Sequence, residues 1–335
     1  MKKPISLLSA ALLGLAASAQ ATVQLSGAGA SFPAPLYQRW AVEFNKANPD
    51  IQINYQSVGS GAGIKQFTAA TVDFAASDAA MTDEQIAKVA KGAVMIPATA
   101  GSIVIAYNLP GVTDLKLSRD AYVGIFLGKI TNWNDEAIKK TNPGVDLPDM
   151  PINVAYRSDG SGTTFVFTKH LSAINKEFAD QVGSDTTVTW PVGAGGKGNE
   201  GVTALIKQTP GTVGYVEYGY AANNGLAFAT LENKSGKFVK ADDKTGPAAL
   251  VGEMPANLRV WFSDPESADA YPIATFTWLL LYKDYNDATK LDALKKFVKW
   301  GLTEGQKFAP ELGYIPLPAS VVEKDMAALG AVSAK

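Results

Sequence analysis

The sequence predicts an α/β fold, and three observations carry that expectation. Strand-type apolar runs alternate with helix-type runs from Val23 to the end of the chain. Three of the strands run into a Gly/Ser turn that opens a helix, at Ser31, Ser60 and Ser161. The length, 335 residues, exceeds the ~150 residues of one ordinary domain and predicts two.

Residues 1–21 stand apart from this pattern. Lys2 and Lys3 precede a short apolar run, Leu7 to Ala17, and Ala19-Gln20-Ala21 has the small-x-small form of a cleavage site. This is the pattern of a secretory signal peptide, and the run is too short to span a bilayer. The mature chain is expected to begin near Thr22. It has no cysteine, so export brings neither disulfides nor a lipid-modified N-terminal Cys, and a soluble chain held by its own core is expected.

From Val23 the elements follow in order. Val23 to Ser26 reads as a strand ending in Gly27-Ala28-Gly29-Ala30-Ser31-Phe32. A helix follows, with Pro33 and Pro35 in the first turn, where proline is tolerated, and with Leu36, Trp40 and Phe44 four apart on one face. Ile51 to Val58 is a second strand, and Gly59-Ser60-Gly61-Ala62-Gly63 opens a helix to about Ala70. Val72 to Ala76 is a third strand, ending at Ser77-Asp78. Ile103 to Tyr107 begins a second α/β unit, with helices at Asp120 to Leu127 and Asn134 to Lys140. Ile152 to Tyr156 is a strand leading through Arg157-Ser158-Asp159-Gly160-Ser161-Gly162-Thr163-Thr164 into a helix. A further helix covers Asn199 to Gln208, and Gly211 to Glu217 is strand-like. Asn233 to Lys244 is expected to be a solvated loop. Ile273 to Tyr282 is a β run, and Asp287 to Trp300, Glu304 to Leu312 and Ala319 to Leu329 are helices.

The turn at Arg157–Thr164 points to an anion. A helix start leaves backbone N–H groups unpaired, and the helix dipole favours negative charge there. Ser161, Thr163 and Thr164 add hydroxyl donors, and Arg157 adds a planar cationic fork suited to phosphate or carboxylate. One such turn is ordinary helix capping; three at strand ends is the arrangement by which open α/β sheets bind ligands.

Other classes are disfavoured. The formal charge is −2, without the clustered Lys/Arg of a nucleic-acid binder. Gly193-x-Gly195-x-x-Gly198 matches a dinucleotide fingerprint in letters, but Pro191 spoils the strand that should precede it. Lys197 is followed by Gly198, so there is no Walker loop. The only histidine, His170, falls about 13 Å along the helix from Ser161, too far to act as its base; it reads as a helix-surface residue. Without Cys and with one His, neither nucleophilic catalysis nor a zinc site is expected, and no metal or cofactor is expected.

Taken together, the segments at 27–35, 59–61, 72–78 and 159–163, with Trp190-Pro191, the 193–199 run and Gly214-Tyr215-Val216-Glu217-Tyr218, resemble the periplasmic phosphate-binding proteins of ABC-type phosphate uptake systems. The resemblance covers essentially the whole mature chain, in order. It implies a two-lobed periplasmic binding protein of type II, with two crossover strands as the hinge and the ligand enclosed between the lobes. Lobe one would be 22–102 with 274–335, and lobe two 103–273. It implies phosphate contacts from Ser31, the N–H of Phe32, Ser60 and Asp78 on one lobe, and from Arg157, Ser161, Gly162 and Thr163 on the other, with Asp159 holding Arg157. Ser31 stands where the family commonly has Thr, and keeps the hydroxyl; Tyr156 stands where a second Arg can occur. The implied protein is a periplasmic monomer that delivers phosphate to inner-membrane permease subunits. A binder of sulfate or molybdate shares the fold, and a secreted phosphatase is the alternative of a different class. Asp78 argues against the first, because an acceptor suits hydrogen phosphate, which carries a proton, and repels sulfate, which does not.

Overall fold

The computed structural model describes residues 22–335; the expected signal peptide at 1–21 lies outside them. The chain begins with β1 (Val23–Gly29), α1 (Ala34–Ala47), β2 (Ile51–Ser57), α2 (Ser60–Thr68), β3 (Phe74–Ser77) and the long β4 (Ala93–Tyr107). There follow α3 (Arg119–Phe126), β5 (Asn153–Arg157), α4 (Gly162–Ile174), β6 (Ala194–Gly196), α5 (Gly198–Gln208) and β7 (Thr212–Glu217). The last major elements are β8 (Ala274–Tyr282), α6 (Ala288–Leu302) and α7 (Ala319–Gly330).

The strands lie in the order β2-β1-β3-β8-β4-β7-β5-β6, with Ala227–Phe228 also paired to β4. β1 is parallel to β2 and β3, and β5 is parallel to β6 and β7. Two parallel half-sheets are thus joined through antiparallel strands. The junction is β4, which pairs with β8 over Ala93–Ser102 and with β7 over Ile103–Tyr107. The N–H of Ile103 also bonds to the carbonyl of Ile273 at 2.9 Å, so two backbone segments cross side by side where the half-sheets meet. This is an α/β protein of two lobes.

Patterning explains the packing. Leu36, Tyr37, Trp40 and Phe44 of α1 are buried as the four-residue spacing requires, and the Trp40 indole donates to the Gly305 carbonyl at 2.8 Å. In the other lobe Phe167 stacks on Tyr215 with centroids 4.4 Å apart. Each fully buried aromatic ring of this kind stabilises by roughly 1.5–3 kcal/mol relative to exposure.

Four expectations need correction. β4 begins at Ala93, ten residues before the expected strand. Its first part, Ala-Val-Met-Ile-Pro-Ala-Thr-Ala-Gly-Ser, is buried on both faces and shows no alternation. Pro97 is accommodated where the pairing with β8 shifts register, as prolines in sheets are at bulges. Glu304 to Leu312 forms two short 3₁₀ turns, Glu304–Phe308 and Pro310–Leu312, because Pro310 cannot donate the helical N–H and Gly313 closes the turn with φ 91°. The stretch 233–244 is not simply solvated: Phe238–Val239 pairs with Leu231 and Glu232, and buried Asn233 donates to the carbonyls of Ala268 and Ala270. His170 is buried, with Nε2 3.0 Å from the Tyr122 hydroxyl and Nδ1 2.7 Å from the Ser263 carbonyl. Burial pushes it down to about 4 against the pull of that carbonyl, so it is a neutral core group. Its position three and four residues from Phe167 and Val166 puts it on the apolar face of α4.

Asp325 on α7 is fully buried and neither carboxylate oxygen has a hydrogen-bond partner. Desolvation pushes it up to about 8. Its folded value lies above the unfolded one, so the native chain holds a proton that the unfolded chain releases. Stability should therefore fall as pH rises from about 4 to about 8, and level off beyond. Asp325→Asn is expected to melt several degrees above wild type at about pH 8 and close to it at about pH 4. Thermal melts of the two chains across that range check this; a difference independent of pH contradicts it.

Candidate anion-binding site

The site forms where parallel strands of both lobes end. β1, β2 and β3 deliver Ser31, Ser60 and Asp78 just past their carboxyl ends, and β5 delivers Arg157 and the turn to α4. Ser31, Phe32, Ser60, Asp78, Arg157, Ser161, Gly162 and Thr163 are all buried, and Asp159 is partly so. The structure brings the whole expected set together, in a closed arrangement with direct bonds across the lobes. The N–H of Gly61 donates to the Gly160 carbonyl at 2.8 Å, the Tyr220 hydroxyl to the Ser31 carbonyl at 2.7 Å, and the Asn199 N–H to Ser31 Oγ at 3.0 Å.

The turn before α1 is oriented by three tyrosines. The hydroxyls of Tyr55, Tyr220 and Tyr314 donate to the carbonyls of Ala30, Ser31 and Phe32 at 2.7, 2.7 and 2.6 Å. In a trans peptide the N–H points opposite to the preceding carbonyl. Holding the Ser31 carbonyl on one side therefore turns the Phe32 N–H to the other. Gly59, at φ 89°, takes a left-handed conformation that lets α2 start directly from β2. Ser161 caps α4, its Oγ accepting from the Thr164 N–H at 3.0 Å. Three helix N-termini thus open at the site, each worth about half a positive charge.

Arg157 and Asp159 form a bidentate pair, Nε to Oδ1 at 2.8 Å and Nη2 to Oδ2 at 2.7 Å. Arg157 Nη1 reaches Thr163 Oγ1 at 3.3 Å. Burial raises the Asp159 carboxyl, but Arg157 and the N–H of Gly198 outweigh it and hold it below the usual carboxylate range. It stays charged and fixes the guanidinium plane.

Asp78 is the site's unusual member. Its Oδ1 accepts from the Thr277 hydroxyl at 2.7 Å. Its Oδ2 lies on the side facing Gly162, where a Cβ would come within 2.7 Å. Burial pushes Asp78 up to about 7, opposed by Thr277 and by the charge of Arg157. A carboxylate in this position takes up a proton readily or accepts one in a hydrogen bond. Around it stand hydroxyls, a guanidinium and backbone N–H groups, with the buried Glu217 carboxyl close enough to feel its charge.

Sequence reasoning missed four contributors. Thr277, on β8, sits in an apolar run that marked it as core. Asn199 donates from Nδ2 to Ser31 Oγ and Thr163 Oγ1 at 2.9 and 3.2 Å. Its signal was present, because Ala194–Gly196 into α5 repeats the strand, Gly turn and helix start a fourth time. Tyr220 and Tyr314 carry no motif. The Gly193–Gly198 run forms an edge strand and a helix start whose N–H groups are taken by Asp159 and Ser31, at 3.0 Å each.

A deep donor-lined site between two α/β lobes defines a ligand-binding protein of the periplasmic type, and the profile of the PBP superfamily domain matches residues 16–304. The chain is 42% identical over 305 residues to the phosphate-binding protein PstS of Pasteurella multocida, covering 90% of this chain and 88% of that one. It is 42% identical over 317 residues to PstS of Haemophilus influenzae, covering 92% and 93%. A solved phosphate-binding protein from Stenotrophomonas maltophilia shares the fold at TM-score 0.71 and 23% identity, over 91% of this chain and 94% of that one. The chain belongs to the PstS family of phosphate-binding proteins. Among the described residues no helix is long and apolar enough to cross a membrane.

Gly162 offers a direct probe of closure. A Cβ there would meet Ser60 Oγ at 2.6 Å and Asp78 Oδ2 at 2.7 Å, both from the opposite lobe. Overpacking of this kind costs about 1–3 kcal/mol. Gly162→Ala is expected to weaken phosphate binding about five- to hundredfold while leaving the melting temperature of the unliganded chain nearly unchanged. Unaltered affinity would mean that the two lobes do not meet at Gly162 in the complex.

Proposed function

We propose that this protein captures inorganic phosphate, as hydrogen phosphate, outside the cytoplasmic membrane and delivers it to the permease subunits of an inner-membrane ABC transporter. It acts as a soluble periplasmic monomer, without catalysis and without a cofactor. The observation that carries the reading is the Asp78 carboxylate, set beside hydroxyl, guanidinium and backbone N–H donors in a buried site shared by two lobes. The names of its relatives support the same ligand.

The proposed contacts are Ser31, the N–H of Phe32, Ser60, Asp78, Arg157, Ser161, Gly162 and Thr163, with Asp159 orienting Arg157. The proposed lobes are 22–102 with 274–335, and 103–273, and the crossing of β4 beside the start of β8 is the hinge. One guanidinium faces two carboxylates, so a dianion is not held by net charge. It is held by helix N-termini and neutral donors in a water-poor cleft, where each hydrogen bond is stronger than in water. The ligand's proton then offsets Asp78. Sulfate at neutral pH has no such proton, and its oxygen would face the lone pairs of a buried carboxylate. Leaving a buried charge unpaired costs roughly 3–5 kcal/mol, enough to disfavour sulfate by about a hundredfold to a few thousandfold.

Calorimetric affinities for phosphate and sulfate test this at one pH. Wild type should bind phosphate and reject sulfate. Asp78→Asn removes the charge and can present an N–H, and should lose much of that preference, each 1.4 kcal/mol counting about tenfold. Arg157→Ala removes a contact both anions would use, and should weaken binding while keeping the selectivity. An Asp78→Asn chain that binds phosphate more weakly yet rejects sulfate as wild type does would refute the acceptor role. Hydrolysis of a chromogenic phosphate ester would instead favour a phosphatase.

A further inference from the structure

We propose that Trp261 acts as a clasp on the closed cleft: carried on an arm of chain mounted on lobe one, its ring grips α4 of lobe two and slows the release of phosphate. The inference rests on the proposed phosphate reading and adds to it a residue that sets retention of the ligand.

Between the 3₁₀ turn Pro247–Ala249 and β8 the chain forms neither helix nor strand. Loops of this length without structure of their own are uncommon in compact domains and are usually functional. By sequence the stretch falls in the proposed lobe two, 103–273. By contact its middle, Met254 to Phe262, belongs to lobe one. Lys324 of α7 donates to the Met254 carbonyl. The Trp278 indole of β8 donates to the Leu258 carbonyl at 2.7 Å. Arg259 donates from Nη1 to the Met81 carbonyl at 3.1 Å and from Nη2 to Asp83 Oδ1 at 2.6 Å, shortly after Asp78 in the chain. Phe262 packs on Phe276 with centroids 6.0 Å apart. Leu258 is buried and has φ 57°, a left-handed backbone that a branched side chain keeps only where its surroundings hold it. The chain returns to lobe two at the next residues: the Ser263 carbonyl lies 2.7 Å from His170 Nδ1, and Asp264 pairs with Arg119 of α3 at 2.8 and 2.9 Å.

Within the arm, the Trp261 ring reaches across to α4. It meets Phe165 edge to face, with centroids 6.4 Å apart and planes at 67°. Lys169, one turn further along α4, places Nζ 5.6 Å from the Phe165 ring and 5.7 Å from the Trp261 ring, close enough for its charge to draw both. Phe165 stands in the first turn of α4, its N–H bonded to the Ser161 carbonyl at 3.0 Å. A grip on Phe165 therefore holds the turn that carries Ser161, Gly162 and Thr163 against lobe one. Trp261 is 37% exposed, which suits a contact that forms and parts rather than a core ring. Opening the cleft carries α4 away from the arm, so the contact must part before phosphate leaves. Entry takes place with the cleft open and does not depend on it.

The experiment mixes phosphate-loaded protein rapidly with an excess of an enzymatic phosphate trap, and sets the release rate beside the calorimetric affinity. It compares wild type, Trp261→Ala, Trp261→Phe and Arg259→Gln. Trp261→Ala should release phosphate about three- to tenfold faster. Its association rate should stay within about twofold of wild type, and its preference for phosphate over sulfate should not change. The melting temperature of the unliganded chain should not move, because the contact is parted there; a ring with a merely structural role would lower it. Trp261→Phe keeps an aromatic edge and should restore most of the retention. Arg259→Gln leaves the ring but loosens its mount, and should speed release by about two- to fivefold. Release from Trp261→Ala at the wild-type rate would overturn the inference. So would an equal loss of melting temperature with and without phosphate, which would make Trp261 a packing residue of both states. A wild-type chain with no phosphate affinity would overturn the functional reading itself, and the clasp with it.

Discussion

A carboxylate shut away from water is costly unless hydrogen bonds replace the lost solvation, and Asp78 is placed in that position. Its Oδ1 is committed to Thr277 at 2.7 Å, and its N–H leans on Ser60 Oγ at 3.3 Å. Burial pushes it up to about 7, so enclosing it in charged form is unfavourable near neutrality. In the proposed cycle that cost falls on closing the cleft over nothing, or over an anion without a proton. A hydrogen phosphate removes it by bringing the missing hydrogen bond. Selectivity and closure then share one physical origin, the desolvation of a single carboxylate.

The fold is arranged to make that enclosure possible. Parallel strands of two half-sheets aim their carboxyl ends at a common volume, and β1, β2 and β5 each feed a helix start whose free N–H groups favour an anion. The half-sheets are joined through β4, with the segment just before β8 crossing beside it, and this crossing is the proposed hinge. At the site the contacts across the lobes are polar, such as Gly61 to Gly160 and Tyr220 to the Ser31 carbonyl, whereas Phe262 packs on Phe276 away from it. Such polar contacts form and separate with modest free-energy change, about 0.5–1.5 kcal/mol each, whereas an apolar interface would hold the lobes shut. The ion pair of the site, Arg157 with Asp159, joins residues two apart on one turn and does not bridge the lobes.

Much of this was legible in the residues. The Gly/Ser turns at Ser31, Ser60 and Ser161 stand out because strand, turn and helix start follow each other in sequence, and the Arg157–Asp159 pair is two residues apart. The groups that escaped notice are those whose role depends on tertiary proximity. Thr277 sits in an apolar strand and is indistinguishable there from a core threonine. Tyr220 and Tyr314 are brought to the turn at Ser31 from 189 and, for the neighbouring Phe32, 282 positions away. His170 was misplaced because one polar residue on an apolar helix face reads as surface until Tyr122 and Ser263 are seen to satisfy both ring nitrogens. The first ten residues of β4 were missed because a strand buried on both faces loses its alternation.

The central claim is that the ligand enters with one proton and meets an ionised Asp78. Proton counting tests it most directly: calorimetry of phosphate binding above neutral pH, repeated in buffers of different ionisation heat. The account predicts an apparent enthalpy independent of the buffer, because hydrogen phosphate keeps its proton and Asp78 takes none from solution. Uptake or release of about one proton per phosphate bound would contradict it, the first by showing that Asp78 is neutralised by solvent, the second by showing that the ligand's proton is lost.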